Sequence, residues 1–317
     1  VLGRDMTYRR CSIDQRVRAM TPKMTTAERR GYQQICAPNG MMMVVAADQR
    51  GGMRKVLADT PEAQAAIDES TLGTVKAGIV KHLANKASCV LLDAVCAVPG
   101  VVDDGVLARD TALLVGLDAS GWDTDADGYR ISKLVPGVTA RRVREMGGTG
   151  AKLMVYLRSD TPKANAVNIQ TIRDCVADFA AEDLLLVVEF LTYQLDNESD
   201  EDYARAFPDL IVGGTRISLE HGSKVLKLPY PGSPAACRQV TDLCDGVPWA
   251  VLSAGVDHET FLGQVETAMQ NGASGVIAGR ALWKDCISLD DAVLEDRLEN
   301  IASKRLAEIQ AVLKSHG

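Results

Sequence analysis

Four ionisable residues sit inside or just past apolar runs: Asp48 after the run 41–47, Lys152 within 150–157, Glu189 within 184–190 and Lys227 within 224–228. A charge in such a run is expensive unless something uses it. An amine held among apolar neighbours and beside a second cation gives up its proton more readily. It then becomes a nucleophile able to form a Schiff base with a carbonyl. Lys227 is the candidate amine and Lys152 the second cation. Glu189 stands on the intervening run and is suited to shuttle protons as a carbinolamine forms and breaks down. Asp48 can hydrogen-bond a substrate hydroxyl, or take the proton whose loss drives C–C cleavage. The same residues could instead form a buried Lys–Glu–Lys ion cluster without chemistry, although such clusters are weak evidence of stability.

Lys224 competes with Lys227 on the sixth run. Strand alternation puts the two on opposite faces. Lys224 lies nearer the strand start, as a solvated residue of the bottom rim, and Lys227 nearer the C-terminal end.

A second constellation follows the last two runs. Leu252-Ser253-Ala254-Gly255-Val256 and Ala278-Gly279-Arg280-Ala281-Leu282-Trp283 each place small residues at a strand end. Small residues let backbone N–H groups approach an anion, and Arg280 adds a forked donor. For Gly255 and Gly279 taken singly, plain turn geometry is the competing explanation.

The elements that must position these groups are regular. Continuous apolar runs at 41–47, 87–92, 111–117, 150–157, 184–190, 224–228, 249–253 and 275–280 predict eight strands buried on both faces, as in parallel sheets. Helical patterns fall at 62–84, 139–146, 163–181, 200–218, 233–245, 259–270 and 291–314, and a polar loop runs through Trp122 and Asp127. Eight such units over one stretch predict a (β/α)8 TIM barrel, whose catalytic face is the C-terminal end of the strands. Polar residues recur there: Asp48, Asp93, Lys152, Glu189, Lys227, Ser253 and Arg280. A doubly wound open sheet would want a Gly-rich turn after the first strand. Gly147-Gly148-Thr149-Gly150 precedes a strand instead, so it is a turn and not a phosphate cradle.

The totals bound the rest. The chain has 317 residues, 46% hydrophobic and 24% charged, which is ordinary for a globular protein. Residues 1–35 read as a basic N-terminal extension, with a helix starting near 25–28, and 36–317 as one barrel domain. An anion-binding arm is the sharper reading of the extension, a solvated one the plainer. A net charge of −7 argues against general nucleic-acid binding. No apolar run reaches the ~20 residues that span a bilayer. No secretory signal is evident, so we expect a cytoplasmic protein. A homo-oligomer is expected as well. Eight cysteines show no C-x-x-C pair, and His82, His221, His258 and His316 are scattered, so neither a metal site nor a cofactor is expected.

Several motifs carry a family resemblance: Ala47-Asp48-Gln49-Arg50, Leu91-Leu92-Asp93, Gly150-Ala151-Lys152-Leu153, Val188-Glu189-Phe190-Leu191-Thr192-Tyr193, Val225-Leu226-Lys227, and the two strand ends quoted above. In order and over most of the chain they resemble the class I tagatose-bisphosphate aldolases. The resemblance implies a barrel, a lysine Schiff base and no metal. It implies reversible cleavage of a ketose 1,6-bisphosphate of tagatose or fructose type to dihydroxyacetone phosphate and an aldehyde. By position, Lys227 matches the Schiff-base lysine and Glu189 the acid/base carboxylate. Lys152 and Asp48 match polar active-site positions, while Ser253, Gly255 and Arg280 match the phosphate-binding ends. Gly279, Gln49, Asp93 and Arg158 join them as phosphate- or substrate-binding candidates.

Leu157-Arg158-Ser159-Asp160, Pro248-Trp249 and Gly255-Val256-Asp257 are more similar to a second branch, aldolases for 6-deoxy-6-sulfofructose 1-phosphate. That branch would give sulfolactaldehyde as the aldehyde. Leu228-Pro229-Tyr230-Pro231-Gly232 fits neither branch. A barrel that binds sugar phosphates without catalysis is the alternative of another class.

Overall fold

A computed structural model describes residues 23–316, and eight of its strands close into a parallel barrel. The strands are β1 (Met42–Ala47), β2 (Cys89–Asp93), β3 (Ala112–Gly116), β4 (Asp118–Thr124), β5 (Arg130–Leu134), β6 (Gly150–Tyr156), β7 (Leu185–Leu191), β8 (Leu226–Pro229), β9 (Trp249–Leu252) and β10 (Gly275–Ala278). Around the barrel the order is β1-β10-β9-β8-β7-β6-β3-β2, and β1 pairs with both β10 and β2. That closure excludes the open sheet.

Side-chain alternation splits the core in two. Met42, Val44 and Ala46 of β1, Cys89 and Leu91 of β2, Ala112 and Leu114 of β3, and Leu185 and Val187 of β7 share one inner cluster. The other parity, including Val45, Val90, Val115, Leu153 and Val188, joins the layer beneath the helices. Both faces are covered, which is why the strands read as unbroken apolar runs. Continuing the inner parity to the C-terminal ends brings up Asp48, Lys152, Glu189 and Lys227. The fold thus converges these four without any special loop.

The opposite end is closed by the helix Thr26–Ile35. Thr25 and Glu28 form a reciprocal capping box, with Glu28 N donating to Thr25 Oγ1 at 3.2 Å and Thr25 N to Glu28 Oε2 at 2.7 Å. Ile35 joins the inner cluster, and Glu28 also pairs with Lys224 at 2.6 Å. Lys224 is therefore not a solvated rim residue; it ties this helix to the barrel floor. The helix from the basic stretch is packed onto the barrel, so a domain boundary at 35/36 would cut through that packing. Arg4, Arg9, Arg10, Arg16 and Arg18 of the same stretch lie outside the described residues.

Three elements differ from the sequence expectation. The segment 62–84 is two helices, Pro61–Ala66 and Glu69–His82, because Asp68 caps the second by accepting from Thr71 N at 2.8 Å. The C-terminal helix is interrupted by a π turn at Leu298–Ala302. The polar loop after β3 is the hairpin β4–β5. Most of β4 is exposed, so no apolar pattern marked it. Its turn is built by Asp125 Oδ1, which accepts from the backbone N–H groups of Asp127 and Tyr129 at 2.9 Å each.

Candidate active site

Parallel register sets Glu189 directly across from Lys227, and Lys227 Nζ donates to Glu189 Oε2 at 2.9 Å. Lys152 Nζ lies 3.3 Å from the same oxygen and 2.7 Å from Asp48 Oδ2. It also pairs with Asp118, the first residue of the hairpin. Lys152, Glu189 and Lys227 are all buried. The cluster expected from the sequence is assembled, with one member that sequence reasoning missed. A signal for Asp118 existed, because it continues the inner parity of Ala112, Leu114 and Gly116.

Asp118 changes the electrostatics. Burial alone would lower the Lys152 pKa, but Asp118, Asp48 and Glu189 outweigh it and hold the amine well above its ordinary value. Lys152 is thereby committed to the ammonium form. Burial would raise Asp48, yet Lys152 and Lys227 prevail and bring it down to about 2. Asp118 goes the other way: burial pushes it up, and Asp48 and Glu189 add to the rise against the pull of Lys152.

A cleft of about 270 Å³ opens onto this cluster and is lined by Gln49, Glu189, Lys227, Ser253, Gly279 and Arg280, among others. A larger one, about 940 Å³, lies at the other end of the barrel around Asn39 and Lys314, away from the strand-end ionisable groups. Within the site, Asp48 Oδ1 and Gln49 Oε1 are buried acceptors with no hydrogen-bond partner. Unsatisfied buried acceptors are costly, and a hydroxyl-bearing ligand would satisfy both.

The ends of β9 and β10 form one wall. Ser253 Oγ accepts from Ala281 N at 3.5 Å, and Arg280 Nη2 donates to Ala254 O at 3.4 Å. Ala254 and Gly255 both take positive φ, +47° and +87°, a bend that is strained for the alanine. A Cβ on Gly255 would sit 3.1 Å from the Arg280 guanidinium carbon, and one on Gly279 would meet Ala46 O at 2.9 Å. Gly279 therefore has a steric reason beyond turn geometry, whereas Gly255 is held by its positive φ.

Two sequence candidates go elsewhere. Asp93 has the inner parity but swings out at the strand end. It pairs with the buried Lys76, and its Oδ1 accepts from Val95 N and Cys96 N at 3.0 and 2.8 Å. Arg158 is buried, with its guanidinium forked onto Asp160 and Glu198 and donating to Tyr193 O at 2.7 Å. Its donors are engaged within the protein, the arrangement of a structural clamp. Arg130 and Tyr156, which no sequence pattern singles out, also line the cleft.

No group of three or more His, Cys, Asp or Glu side chains placed to hold a metal ion occurs among the described residues, and no described helix is long and apolar enough to cross a membrane. A family model described as DeoC/LacD family aldolase matches residues 42–285. Tagatose 1,6-diphosphate aldolase 2 of Streptococcus agalactiae is 24% identical, over 92% of this chain and 96% of the relative. A tagatose 1,6-diphosphate aldolase of Listeria monocytogenes is 26% identical, over 84% and 85% respectively. Among solved structures, the fructose-bisphosphate aldolase of Slackia heliotrinireducens aligns with a TM-score of 0.63 at 15% identity, covering 93% of this chain and 95% of that one. An archaeal fructose-1,6-bisphosphate aldolase, with its catalytic lysine bound to a carbinolamine intermediate, aligns with a TM-score of 0.60 at 19% identity, covering 88% and 98%.

Proposed function

This chain belongs to the DeoC/LacD aldolase family, and from that premise we propose that it cleaves a ketose 1,6-bisphosphate of tagatose or fructose type through a Schiff base on Lys227. The observation that carries the reading is the Lys227–Glu189 contact of 2.9 Å at the floor of the cleft. The lysine Nζ attacks the C2 carbonyl carbon to form a carbinolamine. Glu189 passes a proton from the attacking nitrogen to the carbonyl oxygen, and then delivers a second proton, taken up from solvent, to the hydroxyl so formed, which leaves as water. The protonated imine then accepts the electron pair of the C3–C4 bond as the C4 hydroxyl gives up its proton to the Glu189 carboxylate. The aldehyde leaves, and Glu189 returns that proton to C3 of the enamine. Water hydrolyses the imine, releasing dihydroxyacetone phosphate and regenerating the amine.

Asp48, held near 2, is a poor base, so its role is to accept a hydrogen bond from a substrate hydroxyl, together with Gln49. Lys152 stays cationic, aligns the three carboxylates and balances their charge. Ser253, Gly255, Gly279 and Arg280 receive the C1 phosphate, as the small residues and the guanidinium at that wall suggest. The seven free cysteines among the described residues suit a reducing compartment, and we assign the protein to the cytoplasm. A panel of phosphorylated and sulfonated ketoses, assayed for dihydroxyacetone phosphate release with Lys227→Met as control, tests the reading. Release from none of them by the wild type would overturn it.

A further inference from the structure

We propose that Arg130 binds the distal anionic group of the substrate, so that the site grips a ketose carrying an anion at each end. This rests on the aldolase reading and names a residue for the end of the substrate to which that reading assigns none.

Arg130 opens β5 and is half-buried on the lining of the cleft. Its guanidinium carbon lies 4.0 Å from the ring centroid of Trp122, 4.8 Å from that of Tyr193 and 5.3 Å from that of Tyr156. Its backbone is pinned on both sides: Arg130 N donates to Tyr193 Oη at 3.2 Å, and Asn168 Nδ2 donates to Arg130 O at 2.8 Å. Aromatic faces stabilise a cation without neutralising it, and beyond the N–H that meets the Tyr156 hydroxyl the fork keeps donors for an anion. Among the described residues, no carboxylate forms an ion pair with this guanidinium. Arg158 on the same side of the barrel shows the contrast, being neutralised by Asp160 and Glu198. The cage also accounts for Trp122, which is 45% exposed on the hairpin. Its ring covers a charge, not a core.

Position completes the case. In barrel order Arg280 follows β10, Lys227 is on β8, Glu189 on β7, and Tyr156 ends β6. Arg280 and the Arg130 cage therefore flank the nucleophile from opposite sides of the strand ring. An extended ketose with its carbonyl carbon on Lys227 and its C1 phosphate at Arg280 runs its far end toward Arg130. A phosphate or a sulfonate there has the same chemistry: a compact oxyanion that takes a forked donor.

The test compares kcat/KM of wild type, Arg130→Met and Arg130→Lys on three substrates: a ketose 1,6-bisphosphate, the matching ketose 1-phosphate, and 6-deoxy-6-sulfofructose 1-phosphate. The Kd of dihydroxyacetone phosphate, which has no distal group, is measured on each protein by calorimetry. Arg130→Met should lower the bisphosphate-to-monophosphate ratio about 100-fold, or the sulfonate-to-monophosphate ratio by as much, with the Kd shifted less than about threefold. The substrate that loses more identifies the distal group. Arg130→Lys should restore part of the ratio, since it keeps the charge and loses the fork. Unchanged ratios in a wild type that cleaves these ketoses would overturn the role of Arg130 and leave the aldolase reading standing. Equal losses on all three substrates, with a weakened Kd, would do the same. A wild type that cleaves none of them would overturn both.

Discussion

Lys227 on β8 and Glu189 on β7 are register partners in a parallel pair, and their side chains meet at 2.9 Å. Both carry the inner parity, so the contact follows from strand pairing alone. Glu189 is shared with Lys152 at 3.3 Å, which fixes its carboxylate between two amines. A proton carrier held this way needs no rearrangement to serve the neighbouring nitrogen.

Replacing Glu189 with Gln keeps the shape and removes the proton carrier. We expect kcat to fall about 10²- to 10⁴-fold, the usual worth of a positioned acid/base group. Affinity for dihydroxyacetone phosphate should change little. Steady-state kinetics with a binding titration checks this, and a variant within threefold of wild-type kcat would exclude Glu189 from the chemistry.

Lys152 and Arg158 are both buried cations, and their loss should read differently. Lys152→Met removes the ion-pair partner of Asp48 and Asp118 and leaves Glu189 with Lys227, and Arg158→Met leaves Glu198 and Asp160 without their shared partner. Breaking a buried pair typically costs about 3–5 kcal/mol, with Arg158 at the low end because Asp160 is partly exposed. Both variants should melt lower. Lys152→Met should also lose most activity, whereas folded Arg158→Met should keep a near-normal kcat. Loss of kcat in folded Arg158→Met would return that residue to the substrate site.

Acid stability should carry the signature of Asp48. Its folded pKa is about 2 against an ordinary 3.8, so the folded state holds this proton less tightly than the unfolded chain. Its stabilising contribution is complete above the unfolded value and is lost as pH falls toward 2. Asp118 has the opposite sign: its raised pKa favours the fold in acid, and that contribution is lost as pH rises through its folded value. Asp48→Asn should therefore flatten the fall in stability between about pH 4 and about pH 2, by roughly 2 kcal/mol. Urea midpoints measured across that range check it, and an unchanged slope contradicts the assignment.

Much of this was legible before any coordinates. Apolar runs buried on two faces announce barrel strands, and the charges inside those runs, Lys152, Glu189 and Lys227, mark the candidate site. What was hidden depended on partners distant in sequence. Asp93 has the right parity, yet Lys76, 17 residues earlier, draws it away from the cleft. Arg158 resembles a strand-end ligand until Glu198, 40 residues on, claims its fork. Arg130 was invisible because its cage is made by an exposed hairpin whose pattern is polar, and by two tyrosines on other elements.

The most direct test is chemical trapping. Borohydride added with dihydroxyacetone phosphate should inactivate the enzyme and leave a stable secondary amine on Lys227, seen as substrate mass on the peptide carrying that residue. Lys227→Met should escape labelling, and should lose cleavage by at least about 10⁴-fold. Labelling at another lysine, or full cleavage activity without any trapping, would contradict the Schiff-base assignment.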